Sequence, residues 1–116
     1  MTVHDKAHDL GHALRNSAEY QAFLSAKQHL DNDAPSKAMV QDFFKKKLIA
    51  EYDLMAGNPE DKEKSQELQK IYEVIVLNPT ARDFIHAHMR FQQVAADIYK
   101  IIGDAVAEGM DLFGKE

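Results

Sequence analysis

Three Asp-x-x-His units occur in a chain of 116 residues: Asp5 to His8, Asp9 to His12 and Asp83 to His86. A carboxylate and an imidazole three residues apart share one helix face. Di-iron helical bundles present metal ligands in this way, usually with Glu and with further carboxylates from neighbouring helices. His4, His8 and His12 add an i, i+4, i+8 ladder, a spacing at which adjacent imidazoles share a metal. The candidate ligands are Asp5, His8, Asp9 and His12, and a metal-binding helical bundle of unassigned activity is the alternative reading of this sequence. Helix geometry weighs against it. Val3, Ala7, Leu10 and Leu14 gather about one direction, while His4, His8 and His12 lie roughly 90°, 130° and 170° from it at 100° per residue. Bundle ligands must face the core, and these face away, so no metal or other cofactor is expected.

Covalent catalysis has equally little to draw on. The chain has no cysteine, which excludes disulfides, thiolate metal sites and cysteine nucleophiles together. It has no Gly-x-Ser-x-Gly, no phosphate-cradling Gly-rich loop and no His-Glu-x-x-His. Ser17, Ser25, Ser36 and Ser65 are expected at helix caps or on helix surfaces. No residue is assigned a catalytic role, and the chain is read as not an enzyme.

The elements that position these residues are helices. Only five glycines and three prolines are present, too few for a β-sandwich, and no segment alternates polar and apolar residues with period two. Val3, Ala7, Leu10 and Leu14 mark one amphipathic helix over 3–16. Ser17 caps a second over about 18–31, with Tyr20, Phe23, Leu24 and Leu30 apolar. Residues 35–56 form a third, built on Met39, Val40, Phe43, Phe44, Leu48, Leu54 and Met55 and stopped by Gly57. Asn58-Pro59 and Asn78-Pro79 read as helix starts, because proline suits the first helical position and asparagine caps it. The fourth helix therefore opens in the charged run 60–64 and turns apolar at Leu68, Ile71, Tyr72 and Ile75, and the fifth runs from Pro79 towards Phe113.

The fifth helix carries most of the information. Phe84, His88, Phe91, Ala95, Ile98, Ile102, Ala105, Gly109 and Leu112 recur at alternating steps of four and three, beside an offset series that includes Ile85, Met89, Tyr99, Val106 and Met110. Two adjacent seams make an apolar face broad enough for two neighbours. Unbroken, this helix spans roughly 50 Å, whereas a compact domain of this length is about 35 Å across. The overhang predicts a homodimer or higher homo-oligomer, with Phe84, His88, Phe91, Ile98, Tyr99 and Ile102 as the interface. Gly103 and Gly109 are read as places of close helix approach rather than as stops. His88, a polar residue in an apolar seam, is read as fixing register.

Charge and hydropathy narrow the partners. Fourteen basic against nineteen acidic residues leave a net charge of −5, which disfavours nucleic acid and anionic membranes. Lys45-Lys46-Lys47 is too short for a nucleic-acid stripe, and direct RNA binding would need a partner chain to extend it. No apolar run approaches the roughly 20 residues of a membrane span. The start, Met-Thr-Val-His-Asp, has no basic or apolar leader, so a cytoplasmic location is expected.

Several short segments in order carry a resemblance. They are His4-Asp5-Lys6-Ala7-His8-Asp9-Leu10, Ser17-Ala18-Glu19-Tyr20, Phe43-Phe44-Lys45-Lys46-Lys47, Met55-Ala56-Gly57, Leu77-Asn78-Pro79 leading to Phe84, and Asp97-Ile98-Tyr99-Lys100-Ile101-Ile102. The chain resembles, over essentially its whole length, the YlbF/YmcA-like family of small bacterial helical proteins, including its YheA-like branch. The resemblance implies an all-helical, oligomeric protein without catalytic residues. It also implies a regulatory or adaptor role, since better-studied members join a complex that modulates an mRNA-processing ribonuclease and, through it, developmental regulation. Some members carry iron–sulfur clusters on cysteines, a property that a chain without cysteine does not share. The expectation is one all-α domain over residues 1–116, a bundle of about five helices with a long last helix, acting through an unidentified protein partner.

Overall fold

A computed structural model describes residues 1–59 and 61–111, and every described element is helical. The helices are α1 (Val3–Arg15), α2 (Ala18–Asp31), α3 (Ala34–Met55), α4 (Lys62–Ile75), α5 (Pro79–Ala105) and a single turn, α6 (Ala107–Met110). The all-α class is as expected, with one short helix beyond the expected five.

Local chemistry accounts for most boundaries. Thr2 and Asp5 form a reciprocal capping box that starts α1. The Ser17 hydroxyl accepts from the Tyr20 amide at the head of α2, and Asn78 Oδ1 accepts from the Ala81 amide with Pro79 in the first turn of α5. α3 ends in a Schellman motif. The Asn58 amide donates to the Asp53 carbonyl and the Gly57 amide to that of Leu54, with Gly57 at φ 85°. Two expectations need correction. Asn58-Pro59 does not start α4; Asp61 does, its Oδ1 accepting from the Glu63 and Lys64 amides at 2.9 and 3.2 Å, so Asn58 is spent on the stop of α3. Nor does α5 continue towards Phe113. It ends at Ala105, where Val106 leaves helical geometry at φ −117°, ψ 12°, three residues after Gly103 has weakened the helix. Leu112 and Phe113 lie outside the described residues.

The body of the chain is an antiparallel pairing of α2 with α5. Tyr20 meets Phe91 at 5.3 Å between ring centroids and Phe23 meets Phe84 at 5.4 Å, while Leu30, at the other end of α2, clusters with Ala81 and Ile85. Val40 of α3 and Ile75 of α4 complete this buried cluster, bordered by Met39, Phe43, Phe44, Ile71 and Tyr72. The α3–α4 hairpin extends from it, its sides tied by Lys46 to Glu67 at 2.8 Å and Lys64 to Asp53 at 3.2 Å. Both pairs are exposed and contribute little to stability.

One buried polar link joins two helix starts. Ser36 is 1% exposed; its hydroxyl donates to Asp33 Oδ2, the cap of α3, and accepts from Asn78 Nδ2, the cap of α5, both at 2.8 Å. Ser36 is thus a core residue, against the expectation of a surface or simple capping position. At this buried position the hydroxyl supplies the acceptor for the Asn78 side-chain amide.

The result is a thin plate, 47 × 39 × 15 Å, with a radius of gyration of 18.4 Å. A compact chain of this length has a radius of about 13 Å.

Candidate interaction surface

The aromatic part of α5 is engaged within the chain. Phe84, His88 and Phe91 are half-buried, and all three surround Phe23 of α2 at 5.4–5.6 Å. Phe44 of α3 approaches His88 to 5.0 Å. A depression of about 400 Å³ opens beside them, lined by Leu30, Val40, Phe44, Phe84 and His88, with Lys27 and Lys37 at its edge. Both lysines bind Asp31, at 2.8 and 3.1 Å, and hold its carboxyl below the usual carboxylate range. Burial among the rings pushes the His88 imidazole below its ordinary pKa, and the nearby Lys47 charge adds to this. Gln92 Nε2 lies 3.5 Å from His88 Nε2, and the imidazole packs against Phe23, Phe44 and Phe84 as one ring of the aromatic cluster.

Beyond Phe91 the same face runs past the start of α2. Ile98 is half-buried, Tyr99 76% exposed and Ile102 50% exposed. The residues expected at an interface thus divide into an inner group, Phe84, His88 and Phe91, that packs beside α2, and an outer group, Ile98, Tyr99 and Ile102, of which the last two are exposed. α1 is also uncovered: it approaches α2 alone among the described residues, and of Val3, Ala7, Leu10 and Leu14 only Leu14 is half-buried. A groove of about 560 Å³ separates α1 from α2, lined by Gly11, Leu14, Tyr20, Leu24 and Phe91.

A third open stripe was not singled out from the sequence. Leu48, Tyr52 and Met55 follow one another at steps of four and three on the side of α3 away from α4, and Met55 is 86% exposed. The spacing was visible; that α4 covers only the opposite side was not.

The Asp-x-x-His residues do not converge. Asp5, His8, Asp9 and His12 are all exposed on α1, and no group of three or more His, Asp or Glu among the described residues is placed to hold a metal ion. Lys46 of the lysine cluster binds Glu67 and Asp42, which raise its pKa and occupy its charge. No described helix is long and apolar enough to cross a membrane.

Known proteins resemble this chain in sequence, and one solved structure resembles it in fold. The family model described as "Control of competence regulator ComK, YlbF/YmcA" matches residues 3–107. A UPF0342 protein of Caldicellulosiruptor saccharolyticus is 36% identical over 112 residues, which is 97% of this chain and 93% of the relative. A UPF0342 protein of Symbiobacterium thermophilum is 31% identical over 104 residues, covering 90% and 93%. A solved structure, titled a protein of unknown function (DUF964) from Bacillus stearothermophilus, superposes with a TM-score of 0.78 over 97% of this chain and 98% of that one, at 18% identity. None of these descriptions names an enzyme.

Proposed function

Because this chain belongs to the YlbF/YmcA family, described as controlling the competence regulator ComK, we propose that it is a non-enzymatic cytoplasmic regulatory or adaptor protein. In this reading it is one helical domain over residues 1–116 that self-associates and works through protein contacts. The observation that carries this is surface area. The chain exposes 9263 Å², whereas a compact monomer of 13.2 kDa exposes about 6,400 Å². The excess, about 2,800 Å² per chain or about 5,600 Å² per pair, is enough for an obligate homodimer, whose two partners together bury about 2,000–5,000 Å² or more. Much of it is apolar: Leu48, Tyr52, Met55, Tyr99, Ile101, Ile102 and Val106 are all exposed. Isolated surface hydrophobes need no explanation, but contiguous stripes mark contact surfaces.

The experiment compares substitutions on two faces. In a host strain lacking the gene, Ile98→Asp places a charge on the apolar face of α5 and is expected to reproduce the phenotype of the deletion. His8→Ala with His12→Ala alters the exposed face of α1 and is expected to restore wild-type behaviour. The opposite pattern would overturn the protein-contact reading and favour the metal-binding alternative.

A further inference from the structure

We infer that the outer segment of α5, Ala95 to Ala105, pairs antiparallel with the same segment of a second copy, about a two-fold axis beside Lys100. This rests on the self-association proposed above and specifies its geometry.

The segment is symmetric in sequence about Lys100. Ala95, Ile98, Ile102 and Ala105 are spaced three, four and three apart. At 100° per residue all four lie within roughly 40° of the direction opposite Lys100. Tyr99 and Ile101 flank them symmetrically, one on each side. Asp97, Lys100 and Asp104 occupy the far face, where the exposed Lys100 and Asp104 side chains bind each other at 2.8 Å. An antiparallel pair centred on residue 100 sets Ile98 against Ile102 of the second copy, twice, and Ala95 against Ala105, twice. Large residues meet in the middle, small ones let the helices close at the ends, and no charge enters the seam.

The body of the chain selects this orientation. α2 already runs antiparallel to α5 on this face and stops at Ala18, near Phe91. α1 then turns away, leaving the open groove between Leu14 and Phe91, and its backbone does not pack on α5 among the described residues. A second copy's α5, entering antiparallel, continues the track that α2 vacates, with the same direction and the same kind of packing. It also puts the two bodies at opposite ends and opposes the two helix dipoles. A parallel pair would bring both bodies to one end. The interface is isologous, so it closes as a dimer and does not propagate.

The absence of cysteine makes a direct test available. Disulfides require Cα atoms about 4.4–6.8 Å apart. In the antiparallel pair position 98 faces 102, while two copies of position 98 are offset by about 6 Å along the axis in addition to the spacing between helices. Chains carrying Ile98→Cys and Ile102→Cys are co-expressed and oxidised, and each is oxidised alone. Ala95→Cys with Ala105→Cys is the second pair and leaves both isoleucines in place. Cross-linked dimer is expected in both mixtures, at least tenfold above either single variant. Efficient cross-linking of the single variants would show a parallel pair and overturn the inference. A dimeric mass by light scattering with no cross-link in either mixture would overturn this geometry and leave self-association standing. A monomeric mass for the unsubstituted chain would overturn both.

Discussion

Replacing Ser36 by alanine removes one buried oxygen and unpairs two half-buried groups. Ser36 Oγ lies 2.8 Å from both Asp33 Oδ2 and Asn78 Nδ2, and its residue is 1% exposed. Alanine fits the space, so the cost is electrostatic rather than steric. The Asn78 amide loses its acceptor, and the Asp33 carboxylate loses one donor while keeping the Ser36 backbone amide. Each of the two hydrogen bonds lost contributes about 1 kcal/mol net, the one to the charged carboxylate somewhat more. The expected loss is about 2 kcal/mol. With an unfolding entropy near 2.1 cal/mol/K per residue, that lowers Tm by about 8 °C, compared at one protein concentration. Asn78→Ala removes the same link and also the cap on Ala81, adding about 1 kcal/mol. The double substitution is expected to cost less than the sum by about 1 kcal/mol or more, because the shared bond is lost only once. Additive costs, or a Ser36→Ala protein within 0.5 kcal/mol of wild type by thermal denaturation, would refute the claim that this hydroxyl ties α3 to α5.

Further outcomes follow from single residues. His88 has a folded pKa below its unfolded value of about 6.5. The unfolded chain therefore takes up a proton first, and stability, full above pH 6.5, falls as pH drops through that value. His88→Gln is expected to flatten the fall in Tm between pH 7.5 and 5.5; an unchanged slope would refute its origin in this ring. Gly57→Ala forces a Cβ into the left-handed region at φ 85° and is expected to cost about 1–2 kcal/mol by urea denaturation. Gly103→Ala is expected to act in the opposite sense, gaining about 1 kcal/mol, because its position is helical and a Cβ there meets open space. Equal signs for the two glycines would contradict this account of the helix ends.

Much of the fold was legible because helix ends are written locally. Ser17, Gly57 and Asn78-Pro79 each act within four residues of where they stand. Asn58-Pro59 misled because Asp61, three residues on, competes for the same start and wins with two amide bonds. Ser36 was unreadable, since its second partner is 42 residues away and only packing brings the two caps together. The interaction surface was legible in part. The apolar stripes of α1 and α5 are plain in the spacing of Leu10, Leu14, Ile98 and Ile102, but a stripe does not say whether its own chain covers it. That depends on the angle at which α1 leaves α2 after Asn16 and on how far α5 outruns α2, and both are set by tertiary packing.

The molar mass of the purified chain in dilute solution, by light scattering or sedimentation equilibrium, bears most directly on the central claim that this plate is incomplete alone. A 13.2 kDa chain is expected to behave as a particle of twice that mass or a higher multiple. Ile98→Asp is expected to shift it to monomer or to insoluble aggregate. A stable monomer that unfolds cooperatively, or an unaltered dimer from Ile98→Asp, would contradict it.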